Sequence, residues 1–264
     1  MIFKENIWFE RANDYRQLHI YLPDEYFYSE EEYPVMYFFD GHNLFYDEDA
    51  TFGKSWGLKE YLDNWNKKMI IVGLECSHNG DERLSEYLPY FVKNGFLSDQ
   101  KGYGDATFEW IIKEVKPYID NKYRTLPFRE CTGIAGSSMG GLMALYGAVV
   151  YNNWFSKAAC VSSAIMTCMD SIENDIEQGE IDSNTRIYLS WGTKEARVEN
   201  PEVLDTTSLA YTSNKKVKDL LVQKGVATNM YCQVQGNHCE MDWEKQVPLF
   251  MEFLWQEREV SNIE

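Results

Sequence analysis

The chain has 264 residues, and its 42 acidic and 25 basic side chains give a formal net charge of −17 at pH 7. A field of that sign repels phosphate backbones and anionic membrane surfaces, so the composition argues against nucleic acid and against a membrane as partners. Hydrophobic residues make up 44% of the chain, enough for a sizeable core, but no run of about 18 apolar residues is present that could span a membrane.

The beginning of the chain, MIFKENIWFERANDY, carries charged side chains through the region where a secretory signal peptide needs an apolar stretch. A cytoplasmic location is therefore expected. The cysteines fit this expectation, because they are scattered and form no C-x-x-C pair. That pattern argues against a zinc site and favours reduced, buried thiols at Cys76, Cys131, Cys160, Cys168, Cys232 and Cys239.

Strands are predicted at seven places along the chain. Residues 17–22 alternate between polar and apolar side chains and stop at Pro23, and residues 35–39 form an apolar run closed by Asp40 and Gly41. Runs that are apolar on both faces are typical of buried, mainly parallel strands. The other runs of this kind lie at 69–74, 131–136, 158–161, 186–191 and 229–234.

Helical patterns lie between these strands. Residues 105–119 place their apolar side chains on one face, and residues 139–150 are nearly all apolar, as in a helix packed deep against a sheet. Further helices are predicted at 56–65, at 212–224, which ends before Gly225, and at 243–255.

Strands that alternate with helices predict an α/β protein with a mostly parallel central sheet. The chain contains no repeat and no linker-like segment, so one domain over residues 1–264 is expected. Residues 167–184 are polar and acidic and match no core element. They are predicted to form a loop or short helix over one end of the sheet, where they could act as a lid.

The segment GSSMGG follows the strand predicted at 131–136 and precedes an apolar helix. Gly136, Ser138 and Gly140 form the pattern G-x-S-x-G, in which a strand turns sharply into a helix with a serine at the apex. Glycines two positions away keep side chains out of the tight turn. Ser138 is therefore the candidate nucleophile, and Ser137 is the rival serine without the symmetric glycines.

A serine hydroxyl needs a base to become a good nucleophile. Hydrolases with this motif have the chain order serine, acid, histidine, and His238 is the one histidine downstream of Ser138. His238 follows the last predicted strand, where ligand sites of parallel sheets collect. It is therefore the candidate base.

The third member of such a site is an acid that orients the histidine. Glu195 follows the strand predicted at 186–191 and is the first choice. Asp205, further along the same connection, is the alternative. Asp242 is too close to His238 in the chain to be preferred.

An oxyanion hole needs two backbone N–H donors. One is expected from Met139, directly after the serine, and the other from the loop after an earlier strand. The Gly41–His42 region occupies that place, and Gly41 would let a substrate approach the backbone. Phe45, Trp56 and Trp191 lie beside the predicted site loops and are candidates for binding an aryl or acyl group, although each could equally be a core aromatic.

Several segments together resemble a known family. The stretch YPVMYFFDGHNLF at 33–45 is similar to the opening of the Putative esterase family, the α/β-hydrolases that include esterase D, feruloyl esterases and siderophore esterases. Further segments that match in order, within roughly residues 15–255, are PYID at 117–120, GSSMGG at 136–141, GTKE at 192–195, and GNH at 236–238 with Trp243.

This resemblance implies an α/β-hydrolase fold with helices on both faces of the sheet, and a serine esterase with Ser138 as nucleophile and His238 as base. Members of the family often have aspartate at the position of Glu195. The glutamate of this chain is similar to what siderophore-esterase relatives carry there. The implied reaction is hydrolysis of a small acyl, acetyl-sugar, feruloyl or siderophore-type ester through an acyl-enzyme, with no cofactor or metal. Acyl transfer through the same acyl-enzyme and a non-catalytic binding protein are the alternatives. The sequence leaves the ester and the oligomeric state open.

Overall fold

The computed structural model describes residues 1–256 except 94, 96 and 197. Its strands form one eight-stranded sheet in the order β1-β2-β4-β3-β5-β6-β7-β8. These strands are β1 (Ile2–Phe9), β2 (Asp14–Tyr21), β3 (Val35–Phe39), β4 (Ile70–Leu74), β5 (Thr132–Ser137), β6 (Lys157–Val161), β7 (Arg186–Gly192) and β8 (Ala227–Gln233).

From β4 to β8 neighbouring strands are parallel, which confirms the predicted sheet, whereas β2 pairs antiparallel with both β1 and β4. The sequence patterns located seven of these strands and missed β1. That strand lies at the sheet edge and pairs with β2 along its whole length, from Ile2 opposite Tyr21 to Phe9 opposite Asp14. One of its faces is exposed to solvent, so charged residues interrupt the apolar run that marks a buried strand.

Helices fill most of the connections between strands. They are α1 (Leu58–Asn64), α2 (Glu82–Glu86), α3 (Gly104–Trp110), α4 (Lys116–Lys122), α5 (Met139–Val150), α6 (Met169–Gln178), α7 (Leu209–Gln223), α8 (Glu240–Glu244) and α9 (Val247–Trp255). The helix predicted at 105–119 corresponds to α3 and α4, joined by a π-helical segment at Ile111–Val115. The helix predicted at 243–255 is divided into α8 and α9, with Pro248 in the first turn of α9.

Two hydrophobic cores lie on opposite faces of the sheet, as the alternation of β3 shows. Val35, Tyr37 and Phe39 belong to one core, which also contains side chains of α3 and α5. Met36 and Phe38 belong to the other, with side chains of α1 and α9. Because strand side chains point alternately to the two faces, a strand apolar at every position must be covered on both sides.

Part of the polar segment 167–184 forms α6. Its Ile172 and Ile176 are buried and join the core, and the helix contacts α5 and α7. In the sequence, the acidic side chains around Ile172 and Ile176 make the four-residue spacing of these two apolar residues hard to recognise. A role for this segment as a lid stays a prediction.

Two expectations about composition can be compared with the structure. In the described residues, no helix is both long and apolar enough to cross a membrane. All six cysteines are described, and all are free thiols. Cys76, Cys160 and Cys168 are buried, whereas Cys131, Cys232 and Cys239 are half-buried.

A buried ion pair attaches α2 to the sheet. Arg16 of β2 donates from Nε to Glu86 Oε1 at 3.1 Å and makes a second bond from its Nη2, and the two side chains are only 4% and 2% exposed. Glu86 Oε2 also accepts the backbone N–H of Ser77 at 3.0 Å. Burial raises the pKa of Glu86, and the contacts with Arg16 oppose this rise.

Replacing Arg16 with Met is expected to lower the free energy of unfolding by about 3–5 kcal/mol, because it leaves the Glu86 carboxylate buried without its cation. Lys113→Met is the matched control. Lys113 pairs with Glu109 on the surface, with side chains 61% and 53% exposed, and such pairs contribute about 0–1 kcal/mol. Urea unfolding of both variants measures the difference. Equal losses would contradict the importance assigned to the buried pair.

Candidate active site

The turn between β5 and α5 has the predicted strand–serine–helix geometry. Ser138 has φ 56° and ψ −121°, a positive φ that few residues other than glycine adopt. Its N–H donates to the Val161 carbonyl at 3.0 Å, which fixes the turn to β6. A Cβ atom on Gly136 would lie 2.6 Å from the Gly140 carbonyl carbon, so the turn needs a glycine there.

Helix α5 begins at Met139, directly after this serine. The N–H of a first helical residue has no acceptor within its own helix, and the aligned peptide dipoles make this end of the helix positive. The backbone at Met139 can therefore stabilise a negative charge that develops beside Ser138. The side chain of Met139 is buried in the core.

The loop after β3 is held tightly. Asp40 has φ 58°, and Arg83 donates to both of its carboxylate oxygens at 2.6 Å. The Asp40 N–H donates to the Tyr87 hydroxyl at 3.2 Å. A Cβ on Gly41 would lie 2.5 Å from the Gly73 carbonyl carbon, so the two backbone segments can approach this closely only with glycine at this position.

His42, the next residue of the loop, is buried. Its Nε2 lies 2.9 Å from Thr51 Oγ1, and its Nδ1 lies 3.0 Å from Glu75 Oε1. Burial opposes the charged form of the ring, but the Glu75 carboxylate outweighs burial and raises the pKa of His42.

His238 and Glu195 are in contact. His238 Nδ1 lies 2.5 Å from Glu195 Oε2. The other carboxylate oxygen of Glu195 accepts the Ser162 hydroxyl at 2.7 Å and the backbone N–H of Gly192. A Cβ on Gly192 would lie 2.3 Å from the Gly236 carbonyl oxygen, so glycine is needed where the β7 and β8 connections meet.

The His238 ring is also oriented by an aromatic neighbour. Trp243 meets it edge to face, with ring centroids 5.0 Å apart. The Trp243 indole N–H donates to Ser162 Oγ at 3.0 Å, the same hydroxyl that donates to Glu195. Ser162 therefore connects the carboxylate to the ring that packs against the histidine.

The two other acids considered from the sequence have different partners. Asp205 accepts the backbone N–H and the hydroxyl of Thr207, at 2.8 and 2.6 Å. Asp242 accepts the Asn237 N–H at 2.7 Å and the Lys245 ammonium at 2.6 Å. Burial opposes its ionisation, but the Lys245 and Asn237 contacts lower the pKa of Asp242 to about 2. Asp242 thus holds the loop that carries His238.

Ser138 and His238 line one pocket of about 420 Å³, together with His42. Residues not predicted from the sequence also line it: Asn43, Thr51, Phe52, Ser77, His78, Arg83 and Glu240. The structure thus brings the predicted serine, histidine and loop together at the carboxyl edge of the sheet. A larger groove of about 660 Å³, between β1 and α3, contains none of them.

The three aromatic residues predicted to bind substrate are not among those that line this pocket. Phe45, Trp56 and Trp191 are 3%, 3% and 4% exposed and lie in the core. Phe45 stacks on Tyr21, and Trp56 packs against Phe38. The aromatic rings at the pocket are instead Phe52, which is 81% exposed, and Trp243.

Sequence reasoning also missed Ser162 and Arg83 as members of the site. Ser162 follows β6, so the rule that functional groups gather after parallel strands could have identified it. Arg83 lies in a helix too short to be recognised by its periodicity, and its contact with Asp40 is visible only in three dimensions.

Gly136→Ala is expected to lower the free energy of unfolding by about 1–3 kcal/mol, because the new methyl group would collide with backbone atoms that have no room to move. Gly133→Ala, in the same strand, is the control. Its Cβ would meet side-chain atoms of Met36 and Trp255 at 3.2 Å, which can adjust. Thermal unfolding compares the two variants, and a larger loss for Gly133→Ala would contradict this reading of the turn.

Comparisons with known proteins bear on the family and the fold of this chain. A profile of the family described as "Putative esterase" matches residues 10–252. The uncharacterised protein YbbA of Bacillus subtilis (strain 168) is 24% identical over 225 residues, which cover 82% of this chain and 82% of YbbA.

Two solved structures are similar over nearly the whole chain. An IroE-like serine hydrolase from Shewanella oneidensis matches with a TM-score of 0.72 and 18% identity, over 96% of this chain and 81% of that one. The enterobactin esterase FES from Shigella flexneri matches with a TM-score of 0.70 and 17% identity, over 97% of this chain and 59% of that one. These matches confirm the predicted α/β-hydrolase fold.

Proposed function

The chain belongs to the Putative esterase family, and from that premise we propose that it is a serine carboxylesterase acting on a small ester. Ser138 is the nucleophile, His238 the general base and Glu195 the acid that orients the histidine. The observation that carries the proposal is the 2.5 Å contact between His238 Nδ1 and Glu195 Oε2, in a histidine that lines the same pocket as Ser138.

Glu195 is suited to its role because its two oxygens have separate partners. Ser162 and the Gly192 N–H hold Oε1, which leaves Oε2 to accept a proton-bearing Nδ1 of His238. With the proton on Nδ1, Nε2 is unprotonated and can accept a proton from Ser138. The carboxylate then stabilises the imidazolium that forms.

In the first half of the reaction, His238 Nε2 removes the hydroxyl proton as Ser138 Oγ attacks the ester carbonyl carbon. The carbonyl oxygen becomes an oxyanion and is stabilised by the Met139 N–H and by an N–H of the Gly41–His42 region. The tetrahedral intermediate collapses, and the alcohol leaves with the proton from His238. Ser138 is then acylated.

In the second half, His238 removes a proton from a water molecule, which attacks the acyl carbon. The second tetrahedral intermediate uses the same N–H donors. It releases the carboxylic acid and returns the proton from His238 to Ser138 Oγ. No step requires a cofactor. An alcohol in place of the water would give acyl transfer instead, so product analysis with and without an acceptor alcohol separates the two outcomes.

The family and the pocket are compatible with several ester classes. Short acyl, acetyl-sugar, feruloyl and siderophore-type esters are all candidates, and the similar FES protein is by its name an enterobactin esterase. Phe52 and Trp243 offer apolar surface beside Ser138, while Arg83 and Glu240 add polar groups. A panel that varies the acyl group from acetyl to aryl will show which surface the substrate uses.

Ser138→Ala is expected to abolish labelling by a fluorophosphonate probe and to lower kcat by at least about 10⁴-fold, because no other group replaces the nucleophile. Ser137→Ala is the matched control, since it removes the neighbouring hydroxyl and leaves Ser138 in place. Intact-mass spectrometry after labelling is the measurement. A single adduct on wild type and on Ser137→Ala, with none on Ser138→Ala, is the expected result. An adduct that persists on Ser138→Ala would overturn the assignment.

Ser162 is a positioning residue, and Ser162→Ala is expected to lower kcat by roughly 10-fold while leaving KM nearly unchanged, because hydrogen bonds that orient catalytic groups act on the transition state. Ser163→Ala is the control. Its buried hydroxyl has no hydrogen-bond partner in the part of the chain that the structure describes. Steady-state kinetics on one ester compares the variants, and equal effects of both substitutions would refute the role of Ser162.

A further inference from the structure

Three of the four histidines of the chain surround one carboxylate beside the proposed active site. His19 Nε2 lies 2.7 Å from Glu75 Oε2, and His42 Nδ1 lies 3.0 Å from Glu75 Oε1. His78 Nε2 is hydrogen-bonded to the same Oε1. The proposed reaction uses none of these side chains, so their convergence needs a separate explanation.

The environment of His42 favours a positive charge beside its Nδ1. Its ring is 7% exposed, and Nε2 lies at hydrogen-bond distance from Thr51 Oγ1. Nδ1 is buried and has no well-oriented hydrogen bond within the described residues, although it faces the Glu75 carboxylate at 3.0 Å. When Nε2 carries the proton and donates to Thr51, Nδ1 turns a lone pair towards a carboxylate oxygen. That contact is repulsive unless a positive charge lies between the two atoms.

We propose that His42 Nδ1, Glu75 Oε1 and His78 Nε2 bind a divalent transition-metal ion, and that Zn²⁺ is the ion that fits best. Two imidazoles and one carboxylate are a typical zinc ligand set with three protein ligands. The three ligand atoms lie within 4.8 Å of one another. Tetrahedral bonds of about 2.0–2.2 Å would separate them by roughly 3.3–3.6 Å. Small side-chain movements would bring the ligand atoms to this separation, and His78, whose side chain is 60% exposed, has room for such a movement.

The surroundings of the three ligands have the form expected of a metal site. The second ring nitrogen of His42 bonds to Thr51, and the second carboxylate oxygen of Glu75 bonds to His19. Outer hydrogen bonds of this kind orient metal ligands and fix their tautomers.

The fourth coordination position of the ion would face the pocket. His42 and His78 both line the pocket that contains Ser138 and His238. Three protein ligands leave one position of a tetrahedral ion for water or for an oxygen atom of a bound molecule. The expectation that the chain lacks a zinc site was based on the spacing of its cysteines, and none of these ligands is a cysteine.

Zinc binding to the chelator-treated full chain, freed of any affinity tag, tests the proposal without reference to esterase activity. We expect one Zn²⁺ per chain by calorimetric titration with zinc chloride, and no binding of Mg²⁺, which prefers oxygen ligands. Titration with cobalt chloride should produce visible absorption bands of a Co²⁺ site with nitrogen and oxygen ligands, without a sulfur charge-transfer band.

Variants identify the ligands. His78→Ala and Glu75→Gln should each weaken Zn²⁺ binding by more than the roughly 10- to 100-fold expected from loss of an outer partner, and Thr51→Ala by an amount within that range. Cys239→Ser is the control for a rival site, because Cys239 lies next to His238 and 3.8 Å from an Asp242 oxygen. It should bind zinc as tightly as wild type. Far-UV circular dichroism verifies that each variant is folded, and the exposed position of His78 makes its replacement safe for folding.

Three results would overturn the proposal. The first is the absence of zinc binding to wild type at pH 8, which would mean that a proton on His42 Nδ1 satisfies Glu75 without a metal ion. The second is unchanged affinity in either folded ligand variant. The third is loss of binding in Cys239→Ser, which would place the metal beside His238 instead.

Discussion

The close approach of backbones at the carboxyl edge of the sheet is the constraint on which the proposed site depends. Three glycine pairs meet there, Gly41 with Gly73, Gly136 with Gly140 and Gly192 with Gly236, and a Cβ on the first of each pair would lie 2.3–2.6 Å from backbone atoms of the second. The first contact holds the loop before His42, the second the turn of Ser138, and the third the connection between Glu195 and His238. The parts of the site are thus held by main chain, which moves less than side chains do.

Ion pairs and charged hydrogen bonds also stabilise the segments around this edge of the sheet. The chain carries a net charge of −17, yet the arginines near the site are used internally. Arg16 joins α2 to β2 through Glu86, and Arg83 of the same helix clamps Asp40 at the end of β3. One short helix therefore connects the antiparallel end of the sheet with the loop proposed to stabilise the oxyanion. Asp242 gives similar support to the His238 loop through Asn237.

The four histidines divide into two environments. His238 is exposed, and its only carboxylate contact among the described residues is with Glu195, which is the environment a proton-transfer group requires. His42 is buried, and Glu75 holds it together with His19 and His78. Proximity along the chain accounts only for Glu75 and His78, which both follow β4, because His19 lies in β2 and His42 follows β3.

The sequence alone determined the fold class and the candidate residues whose proposed roles follow from local pattern. Periodicity located seven strands and the helix α5, and the glycines around Ser138 indicated a strand-to-helix turn that the structure contains. Chain order was enough to choose His238, because it is the one histidine after Ser138. Edge strand β1 and helix α6 were harder to recognise, since solvent-facing charges dilute their apolar pattern.

Only the tertiary structure decided which side chains face the pocket. Phe45, Trp56 and Trp191 were predicted to lie beside the site loops, but their rings pack into the core, whereas Phe52, Ser162 and Arg83 reach the site from separate parts of the chain. The direction of a side chain and its partner across the fold depend on how the layers pack, and one-dimensional spacing does not contain that information.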